Sequence, residues 1–143
     1  MGYCTVEDIE KRFLNIDFTT STSVSTSDVE AFISLNSAEI DGRLESVYEI
    51  PITGTKALLI VQKICEFLTL ADVQEILDQK GMGNDDVKTT SQKYREIAEK
   101  MLISIENGVL ALTDAVSLAT DAFINSNNSS NISFVIKKDT RQW

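Results

Sequence analysis

Histidine is the residue most often used for chemistry near neutral pH, and this chain of 143 residues contains none. Its absence removes the Ser-His and Cys-His nucleophile pairs and the zinc sets built on imidazole. The groups left with reactive potential are two thiols and a surplus of carboxylates. Cys4 and Cys65 lie far apart, in no C-x-x-C arrangement, and read as two reduced thiols acting as small apolar groups. Asn84, Asp85 and Asp86 suggest calcium, but the EF-hand spacing and its closing Glu are missing. They read instead as an acidic cap for the helix that follows. No Gly-rich phosphate loop is present. The other Asp and Glu residues fall on expected solvated faces or in helix first turns, where they serve solubility and capping. An acid–base hydrolase would need two carboxylates brought together by the fold, and no spacing marks such a pair. The residues name no catalytic group, no metal ligand and no cofactor. They describe a chain that binds and assembles.

The elements are organised around residues 56–77, KALLIVQKICEFLTLADVQEIL, which contain neither Pro nor Gly to stop a helix. At about 100° per residue, Ala57, Leu58, Ile60, Val61, Ile64, Cys65, Phe67, Leu68 and Ala71 cover roughly half the circumference. That arc is wider than one neighbouring helix needs, so a core helix touching several others is expected. Lys63, Glu66 and Asp72 near its centre exclude a membrane span. Leu59 and Leu70 fall in the polar stripe with Lys56, Gln62, Lys63, Glu66 and Gln74, where a lone monomer gives them little to cover.

On the N-terminal side, Thr5 caps a short helix to about Phe13, with Val6, Ile9 and Phe13 inward. The Thr- and Ser-rich stretch 15–27 reads as a surface loop with an extended piece around Phe18. Ser27 and Glu30 match a capping box that opens a helix to about Val47. Its inner face holds Val29, Ile33, Asn36, Ile40, Leu44 and Val47. Asn36 is the polar member, expected at the edge of the buried face, with a bond across to another helix as the alternative. Tyr48-Glu-Ile-Pro51 ends this helix, and Thr53 or Thr55 is the expected cap of the next, its antiparallel neighbour.

A loop at 78–86 separates the central helix from another at about 87–107, whose stripe is Tyr94, Ile97, Ala98, Met101, Leu102 and Ile105. Asn107-Gly108 is its stop. Beyond it, 114–123 has weak helical character, 125–131 is a Ser/Asn linker, and 132–136 (ISFVI) reads as a strand, either of a hairpin folded back on the bundle or of an arm reaching a partner. The expected fold is mainly α: an antiparallel bundle of three to four helices with an extended, partly β C-terminal arm. Residues 1–108 form the bundle and 109–143 the extension.

Hydrophobic content of 43% and charged content of 24% are those of a soluble globular chain, of a length that makes one domain. MGYCTVEDIEKRF has neither a basic n-region nor an apolar h-region, so no secretory signal is expected. A formal charge of −9 argues against general affinity for nucleic acid, though not against a surface that DNA passes without sticking.

With these elements placed, Tyr3-Cys-Thr-Val-Glu-Asp-Ile-Glu-Lys-Arg-Phe13 resembles the pattern Y-x-T-x-x-D-L-x-x-R-F. Asn36-Ser-Ala-Glu-Ile-Asp-Gly-Arg-Leu44 with Tyr48-Glu-Ile-Pro51 resembles A-x-x-x-I-D-x-x-L-x-x-R-Y-x-L-P. Both patterns belong to the Mu-like prophage and related head–tail connector (adaptor) proteins of tailed bacteriophages. The resemblance covers about residues 3–108, with Gly108 and Leu112 near that family's G-x-x-x-L continuation. Val47 stands where the family has Arg, and the Thr/Ser stretch has no counterpart.

The resemblance implies a structural virion protein rather than an enzyme, without cofactor or membrane. It would be made in the host cytoplasm and placed in the virion neck as a ring, a dodecamer, beneath the portal protein. There it would extend the DNA channel, let the genome pass without specific binding, and receive the stopper or a tail-completion protein. Leu59 and Leu70 would be covered by the next subunit, and Ile132, Phe134, Ile136 and Trp143 would dock a C-terminal arm on the portal or a neighbour. The rival reading is a soluble acidic phage protein that inhibits a host factor or mimics nucleic acid toward it.

Overall fold

The structure, a computed structural model, describes residues 2–13, 18–19, 23–79 and 85–118, with side chains of the last stretch from Thr90 onward. Helices α1 (Val6–Glu10), α2 (Thr26–Leu44), α3 (Thr55–Leu77) and α4 (Asp85–Glu106) form a bundle in which α3 touches each of the other three. Ala71 and Phe67 on α3 meet Ser91 and Tyr94 on α4, so these two helices run antiparallel. The wide apolar arc thus does what its width requires. It is turned from the expected position, however: Leu70 and Glu66 are inside, while Leu58 is partly in solvent.

Local chemistry sets the helix starts. Thr5 and Asp8 form a reciprocal capping box at α1. The box that opens α2 is Ser25 with Asp28, two residues before the expected Ser27 with Glu30. The earlier box wins because the segment before it is anchored: Val24 is buried, and the Thr26 hydroxyl donates to the Phe18 carbonyl. The inner face of α2 is as expected through Leu44, but the helix stops there and not at Val47. Tyr48 leaves the helix to bridge antiparallel to Ser117, and its hydroxyl accepts from the Leu112 amide at 3.1 Å.

The start of α3 uses neither Thr53 nor Thr55. Gly54 is the N-cap at φ 103°, and a Cβ there would collide with Asp114. Asp114 itself caps the helix from a distance in sequence, its carboxylate accepting from Lys56 N at 2.7 Å and Ala57 N at 2.8 Å. The peptide bond Ile50–Pro51 just before this turn is cis. At the other end of the bundle's last helix, Gly108 takes φ 71° and turns the chain out of α4, as its position foretold.

The bundle does not end at Gly108. Leu112 is 2% exposed in the core, Asp114 caps α3, and Leu118 N donates to the Val47 carbonyl. Residues 114–118 are not helical; they lie against the connector between α2 and α3. The linker at 125–131 and the arm residues Ile132, Phe134, Ile136 and Trp143 lie outside the described residues.

Candidate functional site

The two stretches that carry the family resemblance meet at a joint. The Tyr3 hydroxyl donates to the Asp41 carboxylate and accepts from Ile52 N at 3.0 Å, while Tyr3 N donates to Ser37 Oγ at 2.9 Å. One tyrosine near the N-terminus therefore ties α2 to the connector that leads into α3. Burial first, then the neighbouring Asp41 carboxylate, push the Tyr3 hydroxyl up to about 12. Further along the first stretch, Asp8 closes the α1 capping box, Ile9 is buried, and Arg12 pairs with Glu66 at 3.0 Å. In the second, Ile40 and Leu44 fill the core and Tyr48 holds Leu112. Val47, at the position of the pattern's Arg, packs its side chain against the core; its amide donates to the Leu44 carbonyl and its carbonyl accepts from Leu118 N. These motif residues build the fold: the contacts just described are caps, core packing and pairs within the bundle.

In a second set of polar groups, Asn36 takes the alternative reading and bonds across to another helix. Asn36 does not sit at an edge: its Nδ2 donates across to Thr69 Oγ1 at 3.2 Å and to Asp72 at 2.8 Å. Asp72 in turn accepts from Arg95 of α4 at 2.8 Å. The sequence signal was an Asn on the apolar stripe of α2, and its partner was hidden as a Thr on the central helix. Glu66, placed in the polar stripe, is buried and held by Arg12 and by Gln62 at 3.1 Å. On the outer side, Arg43 clamps two acids of α4, Glu106 through Nε at 2.7 Å and Glu99 at 2.9 Å. The Arg43 hydrogen bond holds the Glu106 carboxyl below the usual range despite partial burial. The backbone amides of Lys56 and Ala57, the former first, do the same for Asp114 against a small burial cost.

A groove of about 500 Å³ between α3 and α4 is lined by Glu75, Asp78, Gln79, Ser91, Gln92 and Arg95. Ser91 donates to the Ala71 carbonyl, Arg95 pairs with Asp72 and Glu75, and one oxygen of Asp78 accepts from Gln74 while the other is buried without a partner among the described residues. Among the described residues, no three Cys, Asp or Glu side chains come together as a metal set. No described helix is long and apolar enough to cross a membrane.

Several large apolar side chains are open on the surface, Leu35 of α2 and Ile97 of α4 among them. Leu59 is 62% exposed, in agreement with its place in the polar stripe, and Leu58 beside it is partly exposed. Leu70 is 3% exposed, so the bundle already covers it and it has nothing to offer a second subunit. The reason is the turn of the helix noted above, which brings Leu70 to the inner face. Val109 at 82% exposure, Val116 and Leu118 stand out from the segment that folds over the start of α3, and Ile103 from the last turns of α4. With Leu58 and Leu59 they gather at one end of the bundle. We call this the apolar rim. Sequence reasoning missed Val109, Val116 and Leu118 because they lie outside any periodic helix.

No known protein family, curated sequence or solved structure matches the chain.

Proposed function

We propose that this chain is a head–tail connector (adaptor) of a tailed bacteriophage, assembling as a ring below the portal protein and handing the genome channel on to the stopper or tail. The observation that carries this reading is the way the motif residues are used. Tyr3 bonds Asp41, Tyr48 bonds Leu112, and Gly108 turns the chain from α4 toward Leu112, so the stretches that resemble the connector pattern join parts of one bundle.

The apolar rim supports assembly. Each of its larger side chains gains about 1.5–3 kcal/mol when fully withdrawn from water, and a ring of identical copies offers the same cover to every one. Leu59 is the rim residue named by both sequence and surface. The C-terminal arm, through Ile132, Phe134, Ile136 and Trp143, reaches the portal or the neighbouring copy by strand addition. The acidic balance of the chain, formally −9, suits a channel wall along which DNA slides.

The test is to trim the chain after Asn131 and measure binding to the portal protein of the same genome, with circular dichroism alongside. The expected result is lost portal binding at unchanged helicity. Full portal binding by the trimmed chain would remove the arm from the account. A full-length chain that ignores the portal but binds a basic host protein tightly at low salt would favour the acidic-inhibitor reading.

A further inference from the structure

The sequence separates Cys4 from Cys65, and the fold brings them together. Both are buried free thiols, and their sulfurs lie 3.2 Å apart. Cys65 stands at the end of the polar seam inside the bundle. Thr69 Oγ1 accepts from Asn36, which leaves its own hydrogen to donate to the Cys65 sulfur. Ser37 Oγ is 3.5 Å away, and its lone pair is taken by Tyr3 N, so its hydrogen is also free for that sulfur. Cys4, the Cys65 partner, is the less enclosed of the two. It lines a surface groove of about 410 Å³ with Gly2, Thr5, Val6, Glu30 and Ile33.

We propose that Cys4 and Cys65 are an oxidative modification site, which a small disulfide such as glutathione disulfide converts to an intramolecular Cys4–Cys65 bond. The electron count closes without a metal or cofactor. The Cys4 thiolate, reached through the groove, attacks one sulfur of the small disulfide and expels the first thiol. The Cys65 thiolate then attacks the Cys4 sulfur, forms the protein disulfide and expels the second. Two protein thiols are oxidised, one small disulfide is reduced to two thiols, and the two protons end on those leaving groups.

Donated hydrogen bonds, that of Cys4 first and then those of Ser37 and Thr69, pull the Cys65 thiol down against the cost of burial. The hydrogen bond to Cys65 and burial push Cys4 up. Entry falls to Cys4 because it lines the groove, and closure to Cys65 because it lies fully buried behind it. Closing the gap to a bond of about 2.05 Å needs a sulfur movement of roughly 1 Å.

The bond would fasten the segment ahead of α1 to the central helix. At present that segment is held by Tyr3, by the buried Ile9 and by polar contacts of Arg12 and Asp8 with α3. Joining positions 4 and 65 closes a long loop in the unfolded chain, which raises Tm by about 5–15 °C.

The experiment exposes the folded full-length chain to glutathione disulfide, alkylates remaining thiols in denaturant and weighs the intact protein. The expected product has lost two hydrogens, takes up no alkylating agent, yields a peptide linking Cys4 with Cys65, melts higher, and returns to the starting mass with dithiothreitol. Cys65→Ser should stop at one glutathione on Cys4, which shows the order of attack in a chain that needs no second thiol to fold. The proposal is overturned if the wild-type chain keeps two alkylatable thiols under conditions that oxidise its denatured form. It is equally overturned if a glutathione adduct on wild-type Cys4 persists unresolved.

Discussion

The interior seam and the apolar rim of this bundle handle their side chains in opposite ways. Along the seam, Asn36, Thr69, Asp72 and Arg95 form a chain of bonds that links α2, α3 and α4. At the rim, Leu58, Leu59, Ile103, Val109, Val116 and Leu118 face water, although polar anchors lie close by: the Asp114 cap and the Tyr48 hydroxyl. The seam is finished within one copy of the chain. The rim leaves its apolar side chains in water. The exposed leucines and valines of the rim are the side chains that the proposed ring contact would cover.

That contrast can be broken from either side, and the seam should give the larger effect on stability. Asn36→Ala removes both of its bonds and leaves the buried Thr69 without its donor, at an expected cost of about 2–3 kcal/mol by urea unfolding. A cost near zero would mean that water already satisfies the seam. Tyr3→Phe deletes the bond to Asp41 and strips the Ile52 amide of its acceptor, for about 1.5–2 kcal/mol. The same hydroxyl gives a pH test. Its folded value is raised, so the stability it adds is complete below about 10, the ordinary tyrosine value, and is lost as pH rises toward about 12. Ultraviolet titration should show a late phase of tyrosine ionisation that Tyr3→Phe abolishes.

At the acid end, Glu106 and Asp114 are both held low by their partners. Their contribution is present above the ordinary carboxylate range and falls away as pH drops through their lowered folded values. Asp114→Asn should flatten that acid loss and speed amide exchange at Lys56 and Ala57, while leaving exchange in the seam unchanged. The smallest change in stability belongs to the rim: Leu59→Lys should alter unfolding by no more than about 0.5 kcal/mol. A large loss there would move Leu59 from the rim into the fold.

The sequence made the helices legible because each carries its own signals: the apolar arc of α3, the Thr5 cap and the Gly108 turn. It misplaced the α2 cap because two capping boxes overlap in the Ser- and Thr-rich stretch, and only the burial of Val24 decides between them. Leu70 was misread for a related reason. A stripe on a helical wheel says which residues share a face, but the packing of three neighbours sets how that face is turned. The cap supplied by Asp114, the bond from Asn36 to Thr69 and the meeting of Cys4 with Cys65 all join residues distant along the chain, and no local pattern announces them. The motif stretches were visible from the start, yet their use as joints became clear only when Tyr3 and Asp41 were seen together.

The central claim is that the rim is covered by the next copy in a ring on the portal. Native mass spectrometry of the full-length chain, alone and mixed with the portal protein of the same genome, tests it directly when Leu59→Lys is run beside the wild type. The account predicts a multi-copy ring on the portal for the wild type and no ring for the variant, with equal melting temperatures. A wild-type chain that stays monomeric beside the portal, or a variant that assembles equally well, would contradict it.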